Sequence, residues 1–198
     1  MGKIFYLMGK SSSGKDSIFK MLTSNEQLQL HRIIPYTTRP MREGEEDGRE
    51  YFFADAKKLE QLQKDGKVIE LRTYHTVYGD WNYFTVDDGQ IDLEKNEYLV
   101  IGTLESYLDM CHYYGKKRVI PIYVEVEDGI RLQRALDREK KEEKPRYAEM
   151  CRRFLADAGD FSEEKLQEAG ITKRFQNVDL QKTVAEITNF IVAEGDRL

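Results

Sequence analysis

Seven residues near the amino terminus have the composition and spacing of a phosphate-binding loop. The run Gly9-Lys10-Ser11-Ser12-Ser13-Gly14-Lys15 fits the pattern GxxxxGK and lies between an apolar segment and a helical pattern. Its glycines permit a tight turn whose backbone N–H groups surround a phosphate, and the following helix terminus adds a favourable dipole field. A lysine at this position neutralises charge on the β- and γ-phosphates. The residues predicted to bind the triphosphate are Gly9, Ser11, Ser12, Ser13, Gly14, Lys15, Asp16 and Ser17.

The residue after the lysine departs from the usual form of this loop. Asp16 occupies the position at which a Ser or Thr hydroxyl normally contacts Mg²⁺, and Ser17 offers a hydroxyl one position later. A carboxylate is also a hard oxygen ligand for Mg²⁺. Two interpretations remain open. Asp16 contacts the ion directly or through water, or it is a first-turn acid stabilised by the helix dipole.

A second polar segment, residues 37–53, is dense in Thr, Arg, Glu and Gly. Arg39 and Arg42 are three positions apart, and Tyr51 follows nine positions after the second arginine. Two guanidinium groups and a phenol can converge on one monophosphate, because each arginine binds phosphate oxygens in a bidentate manner. On its own this pattern is more often surface charge, but the phosphate loop upstream favours an acceptor site.

The elements that must position these residues follow from the apolar pattern. Residues 4–8, 99–101 and 119–124 are short apolar runs typical of buried parallel strands, and helical spacing separates them. Between two of them, Leu104, Leu108 and Cys111 line one face of a predicted helix. The last 20 residues read as an amphipathic helix with Val184, Ile187, Ile191 and Val192 on its apolar face. Alternating strands and helices predict an α/β fold around a largely parallel sheet.

Composition excludes several classes of protein. The chain has 198 residues, of which 40% are hydrophobic and 34% charged, as expected for one globular domain. A net charge of −5, from 31 Lys+Arg and 36 Asp+Glu, argues against a general nucleic-acid or anionic-membrane binder. No apolar run approaches the length of a membrane span, and neither a signal-peptide plan nor paired cysteines are present. We therefore expect a cytoplasmic protein whose partners are small molecules.

The combination of these motifs resembles the guanylate kinase family. The segment Thr37–Tyr51 reads TTRxxRxGExxGxxY and follows a GxSxxGK loop, a pairing that is far more specific than either motif alone. Further similarity lies in short segments at 68–70, 78–79, 134–138, 153–158 and 177–180. The resemblance implies a three-layer parallel-sheet P-loop kinase core (about 1–35, 98–133 and 163–198). To this core it adds a small mixed or antiparallel monophosphate-binding insertion (about 36–90) and a helical lid (about 134–160).

The resemblance also assigns roles to individual residues. It places Glu45 behind the arginines and makes Glu70 the carboxylate that accepts hydrogen bonds from guanine. The acceptor-binding set is then Arg39, Arg42, Glu45, Tyr51, Glu70, Tyr78 and Asp80. The catalytic set is Lys15, Arg39, Arg134, Arg138 and Arg153, in which the last three close on the transferring phosphates. Solvated ion pairs are the alternative for the lid arginines, and a helix N-cap is the alternative to an adenine contact for Asn177.

The sequence departs from the family at positions that contact the base. Pro35 replaces a serine and has neither a hydroxyl nor an N–H to offer guanine. Asp80 replaces a Ser or Thr, and an ionised carboxylate cannot donate to a carbonyl oxygen. Thr103 stands in the segment where the family carries a pair of aspartates. The phosphate-binding residues are therefore retained and the guanine-binding residues are altered.

Three functions are compatible with this pattern. The first is ATP-dependent phosphorylation of GMP to GDP with Mg²⁺, in which positioning and electrostatics supply the catalysis. The second is a kinase on the same scaffold that acts on another phosphorylated acceptor, such as a ribose phosphate, because Lys15-Asp16-Ser17 also resembles the ribose bisphosphate phosphokinases. The third is a non-catalytic binding module, although such modules typically lose the phosphate loop.

Overall fold

A computed structural model describes residues 2–76 and 79–195 of the chain. The strands are β1 (Ile4–Met8), β2 (His31–Arg32), β3 (Tyr36–Thr37), β4 (Phe52–Phe53), β5 (Val68–Thr76), β6 (Gly79–Val86), β7 (Tyr98–Gly102), β8 (Val119–Glu125) and β9 (Arg174–Gln176). The α-helices are α1 (Lys15–Thr23), α2 (Ala56–Lys64), α3 (Leu104–Tyr114), α4 (Asp128–Glu139), α5 (Tyr147–Asp160), α6 (Glu163–Glu168) and α7 (Leu180–Gly195).

The larger sheet has five strands in the order β2-β7-β1-β8-β9, and every neighbouring pair is parallel. Strand β1 is its centre, with all five residues buried. Because the strands are parallel, the carboxyl ends of β7, β1 and β8 lie side by side at one edge of the sheet. The phosphate loop follows β1 at this edge, which is where α/β sheets usually bind ligands.

Helices cover both faces of this sheet, as the alternation of side chains along β1 shows. Ile4, Tyr6 and Met8 pack in one hydrophobic cluster with α3 and α6, whereas Phe5 and Leu7 pack in another with α1 and α7. The result is the three-layer α/β architecture expected from the sequence, and this prediction of the fold class is confirmed.

The smaller sheet is formed between residues 36 and 86 and has the strand order β4-β3-β6-β5. Strands β5 and β6 form a long antiparallel hairpin, β3 pairs with β6 in an antiparallel manner, and β3 pairs with β4 in parallel. Helix α2 covers one face through Leu59 and Leu62, which pack against Phe84 and Val86. The opposite face of the hairpin is left to carry polar and aromatic side chains.

Two helix faces differ from the sequence prediction. Leu108 of α3 is 41% exposed, because Tyr107, Met110 and Cys111 form the buried face of that helix. Val192 of α7 is likewise exposed, while Ile187 and Ile191 are buried. Both errors arise at the border of an apolar stripe, where spacing alone does not fix the direction of burial. Among the helices of the described ranges, none has the length and apolarity that a bilayer crossing requires.

Candidate active site

The phosphate loop is shaped by two glycines that cannot be replaced without steric conflict. Gly14 precedes α1 in the left-handed conformation (φ +86°), and a Cβ there would lie 2.3 Å from Nδ2 of Asn177. A Cβ on Gly9 would lie 2.5 Å from the carbonyl oxygen of Val124 in β8. Both distances are far below van der Waals contact, so the loop passes too close to its neighbours for any side chain at these positions.

Three buried polar atoms at this loop have no hydrogen-bond partner among the described residues. They are the hydroxyl oxygens of Ser12 and Ser13 and Oδ1 of Asn177. Buried polar groups are almost always paired, because an unpaired one carries its full desolvation penalty. Ser12 also has a positive φ of 62°, which is uncommon for a non-glycine residue. Unpaired atoms and backbone strain at one loop are typical of a site that a ligand completes.

Asn177 connects this loop to the end of β9. Its Nδ2 donates to the carbonyl oxygen of Ser13 at 2.7 Å, and the residue is almost fully buried. The alternative role as a helix cap is not what the structure shows, because Oδ1 of Asp179 accepts from the N–H of Lys182 at the start of α7. Asn177 therefore braces the phosphate loop, and its contact with an adenine stays a prediction.

An arginine that sequence reasoning missed anchors the phosphate loop to the lid. Arg131 of α4 is 1% exposed, and its guanidinium donates to the carbonyl oxygen of Ser11 at 2.9 Å. The same group donates to Asp128 at 2.8 and 3.0 Å and to Asp157 of α5 at 3.3 Å. Asp157 in turn accepts from the N–H of Ser11 at 2.8 Å and lies near its hydroxyl at 3.3 Å. Two helices therefore hold one residue of the loop.

The predicted lid arginines lie on the same side of the molecule as this loop. Arg138 and Arg153 line a cleft of about 500 Å³ together with Ser11 and Ser12. Glu149 pairs with Arg152 and Arg153, each at 2.8 Å, and these arginines lower the pKa of its carboxyl group to about 2.

Arg134 has a different position from the other two. Its guanidinium donates to the carbonyl oxygen of Asn177 at 3.0 Å, and the side chain of Asn177 in turn donates to Ser13 of the loop.

Asp16 and Ser17 are both exposed in the first turn of α1. Among the described residues, no group of three or more His, Cys, Asp or Glu side chains is arranged to hold a metal. Mg²⁺ is usually bound by one or two carboxylates together with substrate phosphates and water. One exposed carboxylate and one hydroxyl beside a phosphate loop fit that ligand set.

The acceptor segment holds its first arginine in a closed ion pair. Arg39 is 4% exposed and donates to both carboxylate oxygens of Glu45, at 2.6 and 2.8 Å. This hydrogen bonding raises the pKa of Arg39 and lowers that of Glu45 to about 2. The guanidinium also lies 5.1 Å from the centre of the Tyr51 ring. Arg42 has an exposed side chain, and its backbone N–H donates to Glu45. The structure thus brings four predicted acceptor residues together.

Glu70 lies on β5, and both of its carboxylate oxygens accept hydrogen bonds from neighbouring side chains. Its Oε1 accepts from the hydroxyl of Thr85 at 2.8 Å, and its Oε2 accepts from Nε of Arg72 at 3.0 Å. A second nitrogen of Arg72 lies 3.4 Å from Oε1. Arg72 was not among the predicted site residues, although it lies two positions after Glu70 and therefore on the same face of the strand.

The altered family positions have local structural roles. Asp80 is at the exposed tip of the β5–β6 hairpin, where its carboxylate contacts Nδ1 of His75 at 2.7 Å. Thr103 forms the N-cap of α3 in a capping box with Ser106. Pro35 offers its carbonyl oxygen to the N–H of Phe52, which helps to align β3 and β4. Tyr78, also predicted to bind the acceptor, lies outside the described residues.

Comparison with known proteins agrees with the motifs. Residues 1–88 match the family model for guanylate kinase. The guanylate kinase of Mycoplasma mobile is 31% identical over 122 residues, which are 60% of this chain and 58% of that relative. The guanylate kinase of Oceanobacillus iheyensis is 40% identical over 93 residues, or 45% of each protein. The resemblance to guanylate kinases is confirmed. The chain thus spans about half the length of these curated relatives.

A solved guanylate kinase supports the fold over the whole chain. The structural alignment with the guanylate kinase crystal structure from Anaplasma phagocytophilum covers 99% of this chain and 87% of that protein. Its TM-score is 0.66, and the sequence identity is 20%. At this identity the likeness shows a shared fold. The family model matches residues 1–88, which contain the phosphate loop and the acceptor segment, while the shared fold covers almost the whole chain.

Proposed function

We propose that this protein transfers the γ-phosphoryl group of ATP to the phosphate of a nucleoside monophosphate, with GMP as the first acceptor to test. The observation that carries the proposal is the cleft that joins Ser11 and Ser12 of the phosphate loop to Arg138 and Arg153 of the lid. Phosphoryl transfer needs positioning and positive charge rather than covalent chemistry from the protein. The phosphate loop on one wall of the cleft supplies the positioning. The lining of the cleft also has four cationic side chains and four carboxylates, so the proposed positive charge comes from individual guanidinium groups such as those of Arg138 and Arg153 and not from a net charge of the cleft.

The donor end of this mechanism rests on the loop and Lys15. Backbone N–H groups at the start of α1, together with the unpaired hydroxyls of Ser12 and Ser13, are available to the β- and γ-phosphate oxygens. Lys15 places its ammonium beside them, and Arg138 and Arg153 neutralise charge that spreads over the equatorial oxygens during transfer. Asp16 and Ser17 would hold Mg²⁺, which bridges phosphate oxygens and offsets their charge when bound.

The acceptor end rests on the smaller sheet. Arg42 has an exposed guanidinium beside the closed Arg39–Glu45 pair, and Tyr51 lies against Arg39. Arg42 would supply accessible positive charge to the dianionic phosphate of the acceptor, and Arg39 would join it when the phosphate replaces Glu45 as its partner. Closure of the lid over both phosphates would exclude water and limit hydrolysis of ATP.

The test is ADP formation from Mg·ATP with a panel of acceptors: GMP, dGMP, AMP, IMP, UMP and ribose 1,5-bisphosphate. The Lys15→Ala protein serves as the blank. We expect turnover with at least one nucleoside monophosphate and none in the blank. ATP binding without turnover of any acceptor would overturn the proposal and favour a non-catalytic binding module.

A second candidate function is favoured by one observation. The Glu70 carboxylate, which the resemblance assigns to guanine, is already paired with Arg72 and Thr85. This arrangement favours an acceptor other than GMP on the same scaffold, such as a ribose phosphate, and the ribose 1,5-bisphosphate arm of the panel tests it directly.

A further inference from the structure

Arg72 lies on the face of the β5–β6 hairpin that is turned away from α2. The side chain of Leu71 packs with Phe84 on the α2 side, so Glu70 and Arg72 point to the opposite face. The strand register pairs Glu70 with Thr85 and Arg72 with Tyr83. These four residues therefore form one continuous patch.

The patch is adjacent to the group predicted to hold the acceptor phosphate. The ring of Tyr83 lies 5.6 Å from that of Tyr51, and the guanidinium of Arg39 lies 5.1 Å from Tyr51 in turn. Arg72 is thus separated from the Arg39–Tyr51 pair by a single aromatic side chain. An acceptor whose phosphate lies at Arg39 and Tyr51 would contact Arg72 if its remaining atoms extended across Tyr83.

At this end of the patch the accessible polar group is the guanidinium. The side chain of Glu70 is 2% exposed, whereas that of Arg72 is 15% exposed. Both oxygens of Glu70 already accept hydrogen bonds, and Arg72 directs two of its nitrogens to that carboxylate. A guanidinium carries five N–H donors, so three of those of Arg72 are not directed at Glu70. The charge of Glu70 raises the pKa of Arg72 against the lowering effect of burial, and the group remains a cation.

We infer that Arg72 determines acceptor specificity, because it covers the Glu70 carboxylate and presents N–H donors to the part of the acceptor that lies beyond its phosphate. The inference rests on the proposed function and deepens it. The surface selects a ligand group that accepts hydrogen bonds, such as a carbonyl oxygen or an oxyanion. A group that only donates, such as the 2-amino group of guanine, gains little there.

Two sources supply that chemistry. One is a purine with an oxygen at position 2, as in xanthosine monophosphate, and the other is the second phosphate of a sugar bisphosphate. The first experiment measures kcat/KM of the wild-type protein for GMP, IMP, xanthosine monophosphate and ribose 1,5-bisphosphate, with Mg·ATP as donor. GMP and IMP differ only by the 2-amino group. The ratio of their kcat/KM values therefore reports whether the Glu70 carboxylate is available to accept a hydrogen bond from that group.

We expect the wild-type kcat/KM values for GMP and IMP to agree within about tenfold, since sites built to pair with a polar group discriminate by much larger factors. Either xanthosine monophosphate or ribose 1,5-bisphosphate should have a higher kcat/KM than GMP. Preference for xanthosine monophosphate would identify a base oxygen as the ligand of Arg72, and preference for the bisphosphate would identify an oxyanion. A GMP preference over IMP of about 1000-fold or more would overturn the inference.

The variant Arg72→Met then exposes the Glu70 carboxylate. We expect the ratio of kcat/KM for GMP to that for IMP to rise by about tenfold or more. The kcat/KM for xanthosine monophosphate or ribose 1,5-bisphosphate, whichever the wild type prefers, should fall. Lys67→Ala removes an exposed cation just before β5 and is the matched control, with ratios equal to those of the wild type. Because an unpaired buried carboxylate can destabilise the sheet, Arg72→Gln is a second variant that still donates to Glu70. It should lose the preference for xanthosine monophosphate or ribose 1,5-bisphosphate over GMP, while its Tm stays close to that of the wild type.

Equilibrium binding by calorimetry separates this inference from the proposed function. If no acceptor is turned over, the proposed kinase activity fails, but the same four ligands can still be ranked by Kd in wild type and Arg72→Met. A ranking that does not change on removal of Arg72 overturns the inference whether or not turnover occurs.

Discussion

The proposed donor and acceptor sites hold their polar groups in different ways. At the donor end the backbone of the phosphate loop supplies the donors, and three buried polar atoms have no partner in the described structure. At the acceptor end side chains supply the chemistry, and the buried charges are already paired as Arg39 with Glu45 and Arg72 with Glu70. The proposed donor site thus has unpaired polar atoms beside the Arg131–Asp157 ion pair. At the proposed acceptor site both Arg39 and Arg72 are paired, and a ligand must add hydrogen bonds to these ion pairs or replace them.

This difference explains which end tolerates change. Backbone N–H groups contact phosphate oxygens that every nucleoside triphosphate carries, so they fix the class of donor. Side-chain pairs can be rearranged by single substitutions, so they set the identity of the acceptor. The following predictions test the contrast between the two ends, from the largest expected effect to the smallest.

Lys15→Ala is expected to break the donor end. Removal of a cation that neutralises the transferring phosphates should lower kcat by about 1000-fold. The measurement is steady-state ADP formation at saturating ATP and acceptor. Lys20→Ala, at the exposed end of the same helix, is the matched control and should retain wild-type kcat. Normal turnover in purified Lys15→Ala would remove the proposed donor site.

Arg39→Ala is expected to damage both the acceptor end and the fold around it. Loss of one partner of this largely buried pair should lower the free energy of unfolding by about 3 kcal/mol and raise the acceptor KM.

Arg42→Ala removes an exposed guanidinium three residues away, so it should raise the acceptor KM with a stability change below about 0.5 kcal/mol. Urea unfolding and acceptor kinetics measure the two effects. Wild-type acceptor kinetics in both variants would exclude the monophosphate site.

Arg131→Met should affect the donor end alone. The residue holds the carbonyl oxygen of Ser11 and the carboxylates of Asp128 and Asp157, so its loss loosens the loop. We expect the KM for ATP to rise by about tenfold, with about 2 kcal/mol less stability. The acceptor KM should stay unchanged. Lys140→Ala, at the exposed end of α4, is the control and should keep both KM values of the wild type. An equal change in the KM for ATP and the KM for the acceptor in Arg131→Met would contradict the separation of the donor and acceptor sites.

The Arg39–Glu45 pair also predicts a pH dependence of stability. The pKa of the Glu45 carboxyl falls from an ordinary 4.5 to about 2 in the fold, so its contribution is complete above pH 4.5 and is lost as pH falls towards 2. The difference in unfolding free energy between wild type and Glu45→Gln should be constant near neutral pH and should narrow below pH 4.5. Urea unfolding at a series of pH values measures it. Glu43→Gln, at an exposed neighbouring position, is the control, and a gap that widens in acid would contradict the assignment.

Much of the fold could be predicted from the sequence. Apolar strands that alternate with helices determine a parallel sheet, and the loop after β1 follows from its glycines and lysine. The contacts that hold this loop could not be predicted, because Arg131 and Asp157 meet Ser11 across 120 and 146 residues and local sequence patterns do not show such distant pairings. Arg72 is a different case. Its position two residues after Glu70 on a strand was sufficient to place the two side chains together.

The exposure of Leu108, which the helical spacing predicted to be buried, has a simple physical origin. Leu108 lies at the edge of an apolar stripe, and whether an edge residue is buried depends on the neighbouring element rather than on spacing. Asp80 was assigned to the acceptor from its position after Gly79. At the hairpin tip it contacts His75, and whether it reaches an acceptor stays a prediction.

The hydrogen bond from Asn177 to Ser13 has a consequence for folding. It closes a loop of 164 residues, and the contacts of Arg131 and Asp157 with Ser11 close loops almost as long. Such distant contacts form only when most of the chain has already been ordered. The segment 1–88 carries the family signature, yet all three residues that brace its phosphate loop lie beyond that segment. Affinity for ATP should therefore appear late in refolding, after the parallel sheet has acquired β9, and would report completion of the whole domain.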